Sequence, residues 1–188
     1  MTIEQSIQTA ITVQESILSS TVLTETICEV YQLITAVFQR GGKILLCGNG
    51  GSAGDAQHLA AEFTGRFYKN RRPLYAEALH CNTSYLTAVA NDFSYEDIYA
   101  RLLEAEGTQG DVLIAFSTSG NSMNVIKAVE QANAQKMFTV GFTGLSGGAL
   151  KSICQYLINV PSSDTPRIQE AHLLIGHIIC EQVEAALF

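Results

Sequence analysis

With 188 residues, 47% of them hydrophobic and 15% charged, the chain is long enough to bury one core and too short for two domains of ordinary size. A formal charge of −7, with basic residues scattered except at Lys69-Asn-Arg71-Arg72, argues against sequence-independent nucleic-acid binding and leaves that basic patch as a solvated loop. The Met1-Thr-Ile-Glu-Gln5 start lacks a positive segment before an apolar core, no apolar run approaches the roughly 20 residues of a membrane helix, and five cysteines without a C-x-x-C pair suggest neither disulfides nor a thiolate metal site, so a cytoplasmic protein without a membrane partner is expected.

From Ile3 to Arg40 apolar residues recur at threes and fours, through Ile7, Ile11 and Ile17 and then Ile27, Val30, Ile34 and Val37. This is the period of two amphipathic helices, separated at Ser19-Ser20-Thr21. Gly41-Gly42 ends the second helix, and a strand over Lys43–Cys47 begins at once. A glycine loop leads into a helix from Ser52 to about Phe67. After Arg71-Arg72-Pro73, Leu74–Leu79 reads as a second strand, and Thr83–Ala90 and Tyr95–Glu106 read as helices interrupted at Asn91-Asp92. The first pattern then returns: a buried strand over Asp111–Phe116, a polar loop over Ser117–Ser122 and a helix over Met123–Gln135. Two more strands, Met137–Phe142 and Tyr156–Val160, flank a glycine-broken segment, Gly144–Leu150, and a short helical stretch. The last helix starts near Thr165-Pro166, with Thr suited to the cap and Pro to the first helical position, and runs to Leu187. Alternation of strand and helix predicts an α/β fold with a parallel sheet covered on both faces, in one domain with N-terminal helices over 1–40 and an α/β core over 41–188.

Gly48, Gly50 and Gly51 let the backbone turn with positive φ and approach a ligand closely, while Ser52 stands where a helix N-terminus offers free N–H groups, a setting that suits an anion. Ser117, Thr118, Ser119 and Ser122 offer four hydroxyls between a strand and a helix. Taken alone, that spacing is equally that of a turn capping its own helix. In an open parallel sheet, however, both loops would face one crevice at the carboxyl ends of the strands. His58 and Glu62, four apart, share one helix face and could hold a metal or simply pair with each other. Gln169, His172 and His177 lie among apolar residues of the last helix, where a core histidine is the usual explanation. Gln169 and His177 are roughly 12 Å apart along a helix axis and reach one ion only by leaning together or across a subunit boundary.

Taken jointly, Gly48-Asn-Gly-Gly-Ser-Ala53, Gln57-His-Leu-Ala-Ala-Glu-Phe-Thr-Gly-Arg66, Ala88-Val-Ala-Asn-Asp92, Phe116-Ser-Thr-Ser-Gly-Asn-Ser122 and Arg167-Ile-Gln-Glu-Ala-His172 resemble the sugar isomerase (SIS) domain family over nearly the whole chain. Within it the resemblance is to the phosphoheptose isomerases. It implies a three-layer fold around a five-stranded parallel sheet, with the N-terminal helices serving oligomerisation. It further implies one Zn2+ per subunit, held by His58, Glu62, Gln169 and His177. Phosphate would be held by Ser52, Ser117, Thr118, Ser119 and Ser122. Asn49, Gly50, Gly51, Glu62, Arg66, Asn91, Asp92 and Gln169 would complete the contacts to a phosphorylated sugar. Pro166 stands where some members carry an acidic residue. The implied reaction interconverts D-sedoheptulose 7-phosphate and D-glycero-D-manno-heptose 7-phosphate, for bacterial surface polysaccharide, with Glu62 and His177 moving protons in a homotetramer whose subunits share active sites. The competing class is a non-catalytic member, either a sugar-phosphate sensor or a homologue of the DnaA-initiator-associating protein. Such a module has no need of His58, Glu62 and His177 together.

Overall fold

The structure, a computed structural model, describes residues 2–188. Helix α1 (Ile3–Ser19) opens on a capping box in which the Thr2 hydroxyl accepts from the Gln5 N–H and the Gln5 side chain accepts from the Thr2 N–H. Ser20 caps α2 (Thr21–Gln39), so the break falls in the serine-threonine stretch. The chain continues through β1 (Ile44–Cys47), α3 (Gly51–Thr64), β2 (Ala76–Ala78), α4 (Thr83–Asp92), a 3-10 turn at Tyr95–Asp97, α5 (Ile98–Glu106) and β3 (Val112–Phe116). It closes with α6 (Met123–Ala134), β4 (Phe138–Thr143), a 3-10 turn at Ala149–Ser152, β5 (Tyr156–Asn159) and α7 (Thr165–Leu187).

All pairings in the five-stranded sheet are parallel, in the order β2-β1-β3-β4-β5. Successive strand residues point to opposite faces. Ile44, Leu46, Val112 and Ile114 enter a core shared with α2, α3 and α7, whereas Leu45, Cys47, Leu113 and Ala115 enter one shared with α5 and α6. Burial on both faces is why β1 and β3 read as unbroken apolar runs. The connections leaving β1 and β3 run toward opposite edges of the sheet. A crevice therefore opens between their carboxyl ends, the place where ligands bind in open α/β sheets.

Several boundaries differ from the sequence reading. Helix α4 runs through Asn91 and Asp92 and breaks at Phe93, because Ser94 starts a new turn by accepting the Glu96 N–H. Helix α3 stops at Thr64, where Gly65 closes it, and does not reach Phe67. Asp164 occupies the cap position of α7, so Thr165 and Pro166 are its first helical residues. The α2 helix, 19 residues with a mean hydropathy of 1.2, does reach the length and composition of a membrane span. It is nevertheless used as a core helix: Leu23, Ile27, Val30, Ile34, Val37 and Phe38 are buried in the core that includes α7.

Candidate active site

Both glycine- and serine-rich loops stand at the crevice, and the first is bonded to the opening turn of α6, the helix that follows the second. The Asn49 amide donates to Asn124 Oδ1 and the Asn124 amide donates back to Asn49 Oδ1, both at 2.8 Å. Tyr95 donates its hydroxyl to Asn49 Oδ1 at 3.1 Å, and buried Tyr99 donates to the Gly48 carbonyl. Gly50, at φ +56°, enters α3 in a conformation that side chains with a Cβ rarely adopt. Ser52 is buried in the first turn of α3, its N–H donating to the Asn49 carbonyl. In the second loop Ser117 donates to Ser122 Oγ at 3.1 Å and accepts the Ser122 N–H at 3.4 Å, while Ser119 accepts the Asn121 N–H. Gly120 has φ +70°, and a Cβ there would lie 2.1 Å from the Gly147 carbonyl oxygen, so the serine loop lies flat on the Gly147-Gly148 backbone.

Thr118 and Ser119 form one wall of a cleft of about 350 Å³ that continues past the ends of β4 and β5. Ser146, Ser162, Ser163 and Thr165 line the remainder with Leu145 and Ile168; sequence reasoning passed over the three serines and read Thr165 only as a helix cap. The available signal was Pro161-Ser-Ser-Asp-Thr165, hydroxyls between a strand end and a helix start, the same placement as Ser117–Ser122.

The second feature lies where α3 meets α7. Gly176 permits the close approach, since a Cβ on it would stand 2.4 Å from Leu59 Cδ1. The next residues along, His58 and His177, consequently meet with their Nε2 atoms 2.8 Å apart. Glu62 Oε1 is 3.4 Å from His58 Nε2, and ligand atoms of the three side chains lie within 4.8 Å of one another. Two imidazole nitrogens at this separation cannot both present lone pairs, so one ring donates its Nε2–H to the other, and the same two nitrogens could turn onto a shared cation in place of that proton. Two nitrogens and a carboxylate oxygen, partly exposed, form a donor set that fits zinc. Gln169 meets α3 at another level: a Cβ on Gly51 would be 2.6 Å from its Nε2, about two helical turns before His58. Arg66 is exposed just past Gly65, at the far end of α3 from the glycine loop. Asn91 donates to Asp92 Oδ1 at 2.9 Å, and no hydrogen bond ties Arg66, Asn91 or Asp92 to either loop among the described residues.

His172 is a core residue. It is wholly buried, its Nε2–H donates to the Thr143 carbonyl at 3.1 Å, and its ring rests among Phe116 and Phe142. Burial pushes the imidazole down to about 4, with the Thr143 bond opposing, so the ring is neutral. Asp55, one turn before His58 and unnoticed in the sequence, has a buried Oδ2 with no partner. Burial raises its carboxyl to about 6 against the pull of His58.

Residues 9–144 match the SIS domain family. The chain is 50% identical over 186 residues to the phosphoheptose isomerase of Aneurinibacillus thermoaerophilus, a match covering 99% of this chain and 94% of that protein. The chain belongs to the phosphoheptose isomerases of the SIS domain family. Among solved structures, the phosphoheptose isomerase of Neisseria gonorrhoeae superposes with a TM-score of 0.91 at 38% identity, covering 97% of each chain. That of Francisella tularensis superposes at 0.94 with 33% identity, covering 98% of this chain and 100% of its own. As in other phosphoheptose isomerases, then, this sheet and its crevice belong to an isomerase.

Proposed function

We propose that the chain interconverts D-sedoheptulose 7-phosphate and D-glycero-D-manno-heptose 7-phosphate by proton transfer through an enediol(ate). The observation that carries this reading is the meeting of His58, Glu62 and His177 across α3 and α7, beside a crevice with two loops suited to an anion. A module that only binds sugar phosphate has no need of that cluster. Ser52, Ser117, Thr118, Ser119 and Ser122, together with the N–H groups opening α3 and α6, would hold the phosphate. Glu62 has one oxygen toward His58 and a second free to take the proton from the carbon beside the carbonyl and return it to the neighbouring carbon. His177 would exchange the proton between the two substrate oxygens. A zinc ion held by His58, Glu62 and His177 would supply Lewis-acid polarisation of the carbonyl, and Gln169, which lies beside Gly51, would join that set only by leaning toward it or across a subunit boundary.

Exposed Ile3, Ile7, Leu18 and Val22 on the N-terminal helices, with Leu174 and Ile178 on α7, support self-association, and the homotetramer is the form proposed. A cytoplasmic, heptose-supplying role for surface polysaccharide follows from the same reading. The test is turnover of sedoheptulose 7-phosphate, before and after chelation and after zinc is restored. Absence of turnover in zinc-replete protein would refute the isomerase, while full activity after complete chelation would refute the metal.

A further inference from the structure

Beyond the crevice, α7 carries a charged group out of water. Glu184, 2% exposed and about two turns past His177, accepts the N–H groups of Phe67 at 3.1 Å, Tyr68 at 2.7 Å and Lys69 at 2.7 Å, and Arg71 Nε at 2.8 Å. Desolvation works against its charge, yet those four donors outweigh it and hold the carboxyl down to about 2. The Arg71 side chain is equally buried and directs its other N–H groups at the end of α3. Nη2 donates to the Glu62 carbonyl at 2.9 Å and Nη1 to the Phe63 carbonyl at 2.8 Å. Those carbonyls belong to a helix end that leaves its last acceptors without partners inside the helix.

The pair therefore fastens the last turn of α3, which carries Glu62, to α7 near His177. It also orders the intervening loop so that the Phe67 ring lies 5.7 Å from the His177 ring, whose other aromatic neighbour is His58 at 5.0 Å. A buried ion pair is often no more stabilising than apolar residues of the same size, so folding stability alone is a weak reason for this arrangement.

We infer that Arg71 and Glu184 are positioning residues that set the spacing of Glu62 and His58 against His177. The inference deepens the isomerase reading and rests on it. Arg71→Lys cannot reach Glu184 and two α3 carbonyls at once, and Glu184→Gln removes the charge that gathers the loop. Phe67→Leu leaves the pair intact and removes only the ring against His177. For each variant, kcat and KM on sedoheptulose 7-phosphate, melting temperature and Zn2+ affinity by chelator competition are measured. Arg71→Lys should lower kcat on the order of 10–100-fold, the scale of an ångström misplacement, and weaken zinc binding, with KM within about twofold because the glycine and serine loops are untouched. Phe67→Leu should lower kcat several-fold at an unchanged melting temperature. If folded Arg71→Lys and Phe67→Leu keep wild-type kcat and zinc affinity, and only melting temperature falls, the positioning role is overturned while the isomerase reading stands. A wild-type protein without turnover would instead remove the isomerase reading, and equal zinc affinities in wild type and variants would still overturn the positioning.

Discussion

Replacing Gly176 with Ala tests whether helix spacing sets the chemistry. The added methyl would begin 2.4 Å from Leu59 Cδ1, 2.7 Å from Cδ2 and 3.1 Å from Cγ, so the leucine must change rotamer and shift as a whole. Leu59 is itself buried, so its displaced methyl groups press on packed neighbours and push α3 and α7 apart. Overpacking of this kind costs about 1–3 kcal/mol, and the higher helix propensity of Ala offsets about 0.8–1.0 kcal/mol of it. The net loss is therefore about 0–2 kcal/mol, and at roughly 2–4 °C per kcal/mol for a chain of this length the melting temperature should fall only modestly. Catalysis should fall much further. The His58–His177 contact of 2.8 Å sits one residue away on each helix, and a displacement of about 1 Å there can cost on the order of 100-fold in rate. Leu59→Ala supplies the control. Alone it costs about 2–5 kcal/mol as a cavity, but combined with Gly176→Ala it should recover rate and show a favourable coupling of about 0.5–3 kcal/mol. The assay is steady-state turnover of sedoheptulose 7-phosphate with thermal melts for both singles and the double. Wild-type kcat in Gly176→Ala, or strict additivity in the double, would refute the reasoning.

Glu62→Gln keeps the side chain's shape but loses its basicity, and turnover per bound zinc should drop on the order of 10²–10⁴-fold with little change in melting temperature; near-normal turnover per metal would leave His177 as the base. Gly120→Ala combines φ +70° with a Cβ 2.1 Å from the Gly147 carbonyl, so the serine loop must lift and KM for phosphosugar should rise at least about tenfold, an expectation that an unchanged KM would defeat. His172 is held near 4 against an ordinary 6.5. The unfolded chain therefore takes up a proton as pH falls below about 6.5 while the folded chain stays neutral until about 4, and stability is lost across that window by about 3 kcal/mol. Denaturant melts at pH 7 and pH 4.5 should show a smaller acid-induced loss in His172→Phe than in wild type, and equal losses would exclude His172 as the source.

Legibility followed burial. Strands β1 and β3, covered on both faces, were plain as apolar runs, whereas β2 pairs over only Ala76–Ala78 and its flanking buried residues, Leu74 and Leu79, made it look longer. The helix period carried α3 past Gly65 because Phe67 continues the apolar pattern, yet Phe67 packs on the core from the loop that follows, where its ring also meets His177. His58 and Glu62 were visible as a helical pair, but their meeting with His177 depends on Gly176, which looked unremarkable in an apolar helix. Arg71 read as part of a solvated basic loop. Its burial depends on Glu184, 113 residues away, and no local pattern reports a partner at that distance.

The separation of the site's parts along the chain also fixes when the site comes into being during synthesis. The glycine loop joins the first turn of α6 through Asn49 and Asn124, 75 residues apart, but His58 finds His177 only across 119 residues. The longer closure costs only about 0.4 kcal/mol more by chain statistics, so nothing in the entropy of the chain discourages leaving chemistry to the last helix. A nascent chain ending before α7 has neither the His58–Glu62–His177 cluster nor the α7 side of the core. On the reading proposed above, competence to react is acquired only when α7 docks against α3.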